Sequence, residues 1–278
     1  MDYQALDAAV ADVWDDYVGD VHHRLAHYAD FLVDFLRKHN SRHVLDAACG
    51  TGIDSIMLLE RGFKVTSVDA SQGMVHMVLK KRWDRRKEKA FDEWEIVEAD
   101  WLTMPRNLTM AGKRFDAIIC IGNSIPYLKD MEEIKLAIQN FHHFLKPGGW
   151  LIVDHRNFES NLGKGHRPNT CMYYSGTVFK VNTVEQTSEG IIRNVYIDSS
   201  SDKATSLAKY NKENSTSGKV NFKYRIFPIQ RGDFTSILRA VFGEGSKHEV
   251  YGDYKSSKSE ENTSFFIHFI QKETENSQ

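Results

Sequence analysis

The chain is poor in cysteine, and what it has is unpaired by spacing. Cys49, Cys120 and Cys171 are odd in number and far apart. That excludes a CxxC metal or redox pair and a disulfide framework, and it predicts a reducing compartment, the cytoplasm. No apolar run approaches the roughly 20 residues of a membrane span. The amino-terminal MDYQALDAAVADVW lacks the basic start and long apolar stretch of a secretory leader. Charge of one sign is missing too: a net charge of -2 and a pI near 6.6 argue against nucleic acid as the main partner. What remains is ordinary globular composition, 41% hydrophobic and 27% charged over 278 residues. That length suits one large domain carrying an inserted subdomain.

Periodicity supplies the class. Residues 5–38 read as helical, with Phe31, Leu32, Phe35 and Leu36 on one face. HVLDAA, FKVTSVDA, WEIVEAD, FDAIICIG and WLIVDHR read as strands. Between them GIDSIMLLERG, the Ser71-capped SQGMVHMVLKKRWDRRKEKAF, and MEEIKLAIQNFHHFL, stopped by KPGG, read as helices. Strands alternating with helices predict an α/β fold with a parallel sheet covered on both faces. After Arg156 the helical period disappears. CMYYSG, TVFKVNTVEQTSE, GIIRNVYIDSS and VNFKYRIF read as strands of a β-rich insertion, with a polar loop before the last. DFTSILRAVFGEG, SKHEVYGDY and TSFFIHFIQK then resume the α/β pattern.

One further absence is informative. VLDAACGTG, Val44 to Gly52, breaks from an apolar run into glycine like a nucleotide loop. A dinucleotide loop reads GxGxxG, and its third glycine lets helix and strand pack closely. Here Gly50 and Gly52 are followed by Ile53, Asp54 and Ser55. Asp46 and Asp54 disfavour phosphate and favour a cation. S-adenosylmethionine carries an ammonium, a sulfonium and no phosphate, and the glycines allow close backbone approach. Asp69 ends the second strand, 19 positions after Gly50, where an acid can accept from both ribose hydroxyls. In EADW, Asp100 can accept from the adenine amino group, and Trp101 offers an aromatic surface. Each acid alone reads equally well as a cap or a solvated side chain. Their recurrence at successive strand C-termini points to a ligand edge.

These residues also carry a resemblance. VLDAACGTGIDSIMLLERGFKVTSVDAS, EADW, FDAIICIGNS and LKPGGWLIVDHRN are similar to the class I methyltransferases. VWDDYVGD, Arg24, KKRWDRRKEKAFDEW, DHRN and the GDY…FFIH ending narrow this to the glycine N-methyltransferases, over most of the chain. The resemblance implies a Rossmann-like seven-stranded sheet and a homotetramer. It divides the chain into an amino-terminal helical cover (1–30), a cofactor-binding core (31–156), a β-rich lid (157–226) and a final segment completing the sheet (227–278). It implies methyl transfer from S-adenosylmethionine to glycine, giving sarcosine and S-adenosylhomocysteine. Trp14, Arg24, Ala48, Asp69, Trp101 and Ser124 fall on the family's cofactor positions. Met74, Ile121, Tyr17, Asn123 and, across a gap, Tyr3 complete the expected cofactor set. Arg156, Asn123, Tyr17, Tyr174 and Tyr196 fall on substrate-pocket positions.

The substrate set makes chemical sense. Arg156 can grip a carboxylate with two parallel hydrogen bonds, and its charge does not titrate away. Asn123 can accept from an amine or donate to a carboxylate, although it also suits a turn. The tyrosines suit lid packing as well as substrate orientation. In-line methyl transfer to a neutral amine needs no metal, and no general base is assigned. Four departures from the family stand out: Asp100 in place of asparagine, Tyr127 in place of histidine, Ile226 in place of tyrosine, and an amino terminus starting about 19 residues late. The last makes folate regulation doubtful. KKRWDRRKEK reads as a solvated helix face. The adjacent His142 and His143 do not have metal-ligand spacing. The rival reading is a methyltransferase that also accepts sarcosine or dimethylglycine; a non-catalytic S-adenosylmethionine or folate sensor is a third.

Overall fold

A computed structural model describes residues 11, 14–15, 18–158, 172–173, 179–187, 190–197, 221–255 and 263–274. The apolar runs become strands, mostly buried except at the edge strand β3: β1 (His43–Asp46), β2 (Lys64–Asp69), β3 (Glu95–Glu98), β4 (Phe115–Cys120) and β5 (Leu145–Arg156). Three strands, β6 (Phe179–Thr187), β7 (Gly190–Ile197) and β8 (Asn221–Ile226), pair antiparallel as a separate sheet. The chain then returns as β9 (His248–Gly252) and β10 (Phe265–Gln271). The main sheet has seven strands in the order β3-β2-β1-β4-β5-β10-β9. Strands β3 to β5 are parallel, and β10 runs antiparallel between β5 and β9. The expected seven-stranded α/β sheet is therefore present.

Helices cover both faces because the parallel strands expose apolar side chains on each. Among the described residues the longer helices are α1 (Val21–Ala26), α2 (Ala29–Lys38), α3 (Ile53–Glu60), α4 (Gln72–Asp84), α5 (Met131–Phe144) and α6 (Arg231–Phe242), with one further short turn of helix at Lys89–Asp92. On one face, α2 buries Leu32, Val33, Phe35 and Leu36, with the Phe35 ring against Trp150 and Phe269. On the other, α5 buries Ile134, Ile138 and Phe141, and α6 buries Phe234 and Leu238. The Ser71 oxygen accepts the Met74 N–H and so starts α4, as its sequence predicts.

Three details differ from the sequence expectation. Over the described residues the helix expected for 5–38 is broken at Gly19–Asp20 and again at His27–Tyr28. Tyr28 leaves helical geometry and stacks its buried ring 5.2 Å from Tyr254, so tertiary packing overrides helix continuation. KPGG does not precede the fifth strand but belongs to it: β5 starts at Leu145 and carries an irregularity between its pairings with Phe115 and Ala117. Such a bulge accommodates residues that a regular ladder would exclude. Within CMYYSG, Met172 and Tyr173 form a turn rather than a strand. The Tyr173 ring is buried and lies edge-on to Phe265.

Candidate active site

The parallel strands end along one edge, and their following turns gather the polar residues there, as open α/β sheets require. After Asp46 the chain turns through Gly50 (φ +52°) and Gly52 (φ +87°) before entering α3. Both angles lie in the left-handed region that favours glycine. At Gly52 a Cβ would also stand 3.1 Å from Trp94 and 3.3 Å from Val78, so core packing crowds it independently of any ligand. Asp69 organises the turn. Its two carboxylate oxygens accept the Gly50 N–H (2.8 Å) and the Ser71 N–H (2.9 Å). Burial raises its pKa while these N–H groups hold it down.

Asp46 is 1% exposed and accepts from the Ser55 hydroxyl at 2.6 Å. Ser55 in turn meets Ser67, which accepts the Trp94 indole N–H. Burial first, and then the charge of Asp54, push the Asp46 carboxyl up to about 7. A cation beside it would reverse that shift.

Arg24, placed on α1, reaches the same turn. Its guanidinium donates to Asp54 at 2.6 Å and to the Tyr28 hydroxyl at 2.9 Å, and Tyr28 also donates to Asp54. Asp54 is therefore the buried ion-pair partner of Arg24. The amino-terminal segment is clamped to the turn as well. Asp15 accepts from the Thr51 hydroxyl and from the Lys81 ammonium, which also binds the Thr51 carbonyl. Trp14 lies beside this clamp, its indole nitrogen 3.7 Å from where a Gly50 Cβ would be.

The third strand end behaves differently from its neighbours. Asp100 is exposed and accepts the Leu102 N–H, closing its own turn. Trp101 is half-buried, donates its indole N–H to the Ala47 carbonyl and lies edge-on to Phe141. It thus ties the β3 end to the glycine turn. Met74 is buried at the start of α4.

The β4 and β5 ends form a second group. Asp154, fully buried, accepts the Gly122 N–H (2.9 Å) and the Asn123 N–H (2.7 Å), and the Tyr173 hydroxyl bonds it too. Burial pushes its carboxyl up to about 6 against those bonds. Asn123 takes a left-handed conformation (φ +68°) and is buried. Its side-chain oxygen accepts the Arg156 N–H at 2.9 Å, so that oxygen holds the arginine's backbone. The Arg156 guanidinium sits 5.0 Å over the Phe265 ring. Ile121 is buried, and the Ser124 hydroxyl donates to its carbonyl.

Tyr3, Tyr17 and Tyr174 lie outside the described residues. Tyr196 is in β7, opposite Lys180 and Asn221, and its side chain is likewise outside them. Tyr127 lies in a short turn after Ser124, and Ile226 is buried at the end of β8. Among the described residues no group of three or more His, Cys, Asp or Glu side chains is arranged to hold a metal ion, and no helix is long and apolar enough to cross a membrane. Two residues escaped the sequence reading. Asp15 carries no local signal. Asp154 had one, a lone acid in an otherwise apolar strand.

Comparison with known proteins follows the same lines. A family model described as a methyltransferase domain matches residues 44–149. The glycine N-methyltransferase of Mus musculus is 40% identical over 277 residues, covering 97% of this chain and 92% of that protein. A glycine/sarcosine N-methyltransferase of Halorhodospira halochloris is 32% identical over 262 residues, covering 94% and 87%. A solved S-adenosylmethionine-dependent methyltransferase of Clostridium acetobutylicum shares the fold with a TM-score of 0.67 at 18% identity, covering 95% of this chain and 98% of that one.

Proposed function

Because the chain belongs to the glycine N-methyltransferase family, we propose that it transfers the methyl group of S-adenosylmethionine to the nitrogen of glycine, giving sarcosine and S-adenosylhomocysteine. The observation that carries this reading is the likeness to the mouse enzyme at 40% identity over 97% of the chain.

The residues fit the donor. Asp46 is a buried carboxyl pushed up to about 7 by burial and by the charge of Asp54, which suits a methionine end bearing an ammonium and a sulfonium. Asp69, already oriented by two backbone N–H groups, keeps lone pairs for ribose hydroxyls. Trp101 and Asp100 stand where an adenine ring would lie, and Trp14 and Arg24 close the amino-terminal side. S-adenosylmethionine supplies a methyl group on sulfur that is already a good leaving group. The chain supplies position. Arg156 holds the glycine carboxylate through two parallel bonds. Asn123, fixed in its turn by Asp154, braces the Arg156 backbone. Alignment of this kind reaches effective molarities on the order of 10⁵–10⁸ M. The amine attacks in its neutral form, and no residue is assigned as general base.

In this reading, as the family resemblance implies, the sheet of β6 to β8 is the lid of the site and the amino-terminal segment its cover, with Tyr3, Tyr17, Tyr174 and Tyr196 the expected contributors. The family resemblance further supports a homotetramer working in the cytoplasm, and the buried thiols of Cys49 and Cys120 suit that compartment. The test is to incubate the protein with S-adenosylmethionine and, separately, glycine, sarcosine and dimethylglycine, and to weigh the products. Sarcosine from glycine is expected, and no product from any of them overturns the reading. The glycine/sarcosine relative favours one alternative; faster turnover of sarcosine than of glycine would select it. Arg156→Lys should raise the KM for glycine by about tenfold, worth about 1.4 kcal/mol, with cofactor affinity kept.

A further inference from the structure

A row of three histidines crosses the main sheet behind Arg156. His248 lies on β9, His268 on β10 and His155 on β5, one strand apart. The His248 Nε2 is 3.0 Å from His268 Nδ1, and His268 Nε2 is 3.2 Å from His155 Nε2. The His155 Nδ1 is 3.1 Å from the Arg156 carbonyl oxygen. His268 and His155 are fully buried, and the rings of each neighbouring pair are stacked.

The end of the row fixes its protons. A carbonyl only accepts, so His155 must carry its proton on Nδ1, leaving Nε2 an acceptor. His268 must then donate from Nε2 and accept at Nδ1, and His248 must donate from Nε2. One polarity satisfies every contact, with all three rings neutral. Their surroundings enforce neutrality. Burial lowers the pKa of each ring, the cation of Arg231 on α6 lowers all three further, and Arg239 adds to this at His248.

The target of the row is significant. Asn157 donates to the Ser264 carbonyl, so Asn157 and Ser264 form a hydrogen-bonded pair across β5 and β10. The next pair, Arg156 and Phe265, is then of the non-bonded type, with the Arg156 N–H and C=O directed away from β10. On that other side β4 has ended at Cys120, whose partner on β5 is Val153. The Arg156 N–H and C=O therefore lie on the side of β5 where, among the described residues, the pairing with β4 has already ended. Asn123 takes the N–H and His155 takes the C=O.

We propose that the His155–His268–His248 row is a positioning device for the substrate-binding arginine: it fixes the Arg156 carbonyl, and thereby the direction from which the guanidinium meets the glycine carboxylate. The inference rests on the reading of Arg156 given above. His155 touches neither substrate nor cofactor in this scheme and acts only through Arg156.

Two matched pairs of variants test it in the full chain. The amide nitrogen of asparagine occupies the place of Nδ1, and that of glutamine the place of Nε2. His155→Gln should raise the KM for glycine by about tenfold, and His155→Asn by no more than about threefold, with the dissociation constant for S-adenosylmethionine unchanged within about twofold. At the next position, His268→Gln keeps the donor to His155 and His268→Leu removes it, so His268→Leu alone should raise the KM. Equal effects within either pair overturn the proposal, as does a matching loss of cofactor affinity. If His155→Gln fails to fold, the His268 pair decides. Arg156→Lys is measured in parallel: no change in its KM for glycine overturns the arginine reading itself, whereas a raised KM there with silent histidine variants overturns only the row.

Discussion

Around the Gly50–Gly52 turn, the two strand-end acids are satisfied from nearby in the chain, Asp69 by Ser71 and Gly50 and Asp46 by Ser55, while Asp15 and Arg24 clamp the turn from the amino-terminal segment. Around Asn123 and Arg156 the partners come from much farther away. Asp154 on β5 holds the turn after β4, Tyr173 closes on Asp154, and Phe265 on β10 underlies Arg156. The first region is a local motif seated on parallel strands. The second exists only once the β5–β10 register is set. The contrast suggests that the donor half can be perturbed without the acceptor half, and the reverse.

The strongest test is Asp154→Ala. It removes the carboxylate that accepts the Gly122 and Asn123 N–H groups and bonds the Tyr173 hydroxyl, which also meets the Tyr254 hydroxyl. An orphaned buried donor costs about 1–3 kcal/mol, so the total should reach about 3 kcal/mol or more. Thermal unfolding should show a large fall in Tm, and the folded fraction should lose glycine affinity well before cofactor affinity. Equal loss of both would erase the distinction between the halves. Gly52→Ala is the mirror image. A left-handed alanine costs about 1–2 kcal/mol, and its Cβ would press on Trp94. Calorimetry should record weaker S-adenosylmethionine binding, while the KM for glycine at saturating cofactor stays within about twofold.

The smallest effect is on pH dependence. The folded pKa of Asp46 is raised to about 7 from 3.8. The native protein therefore keeps a proton that the unfolded chain has released, and stability falls as pH rises through about 7. Buried histidines act oppositely. Their folded pKa values are lowered, with His155 and His248 to about 4, so they cost stability only as pH falls below their ordinary value of 6.5. Between pH 6.5 and about 7 the decline should thus belong mainly to Asp46, at no more than about 1.4 kcal/mol per pH unit, and it should level off above that. Melting curves of the cofactor-free protein should fall across that range, Asp46→Asn should flatten them, and bound S-adenosylmethionine should do the same. An unchanged slope in Asp46→Asn would move the titration to another group.

The same contrast explains what was legible beforehand. Apolar runs at helix-and-strand spacing disclosed the sheet, because burial on both faces leaves a one-dimensional signal. The glycine turn and Asp69 were legible because their partners lie close in sequence or at the next strand end. Arg24 stood out only through resemblance, since its pairing with Asp54 spans 30 residues. Asp154 read as one acid in an apolar strand, and its task follows from a turn more than 30 positions away. The histidine row was invisible: His155, His248 and His268 meet only through strand pairing, which no local pattern specifies. The break at Tyr28 was missed for a similar reason, its ring being drawn out of the helix by Tyr254.

The placement of β10 has a consequence for synthesis. The strand that covers the far side of β5 is made more than a hundred residues after it, at Phe265–Gln271 against Trp150–Arg156. As the chain leaves the ribosome, β5 can join β4 early, yet its other side remains a bare hydrogen-bonding edge until translation has passed residue 271. Exposed edges invite pairing with other chains. The interval between those two strands is therefore the window in which a nascent chain most needs a chaperone, and the acceptor half of the site is the last part of the sheet to be born.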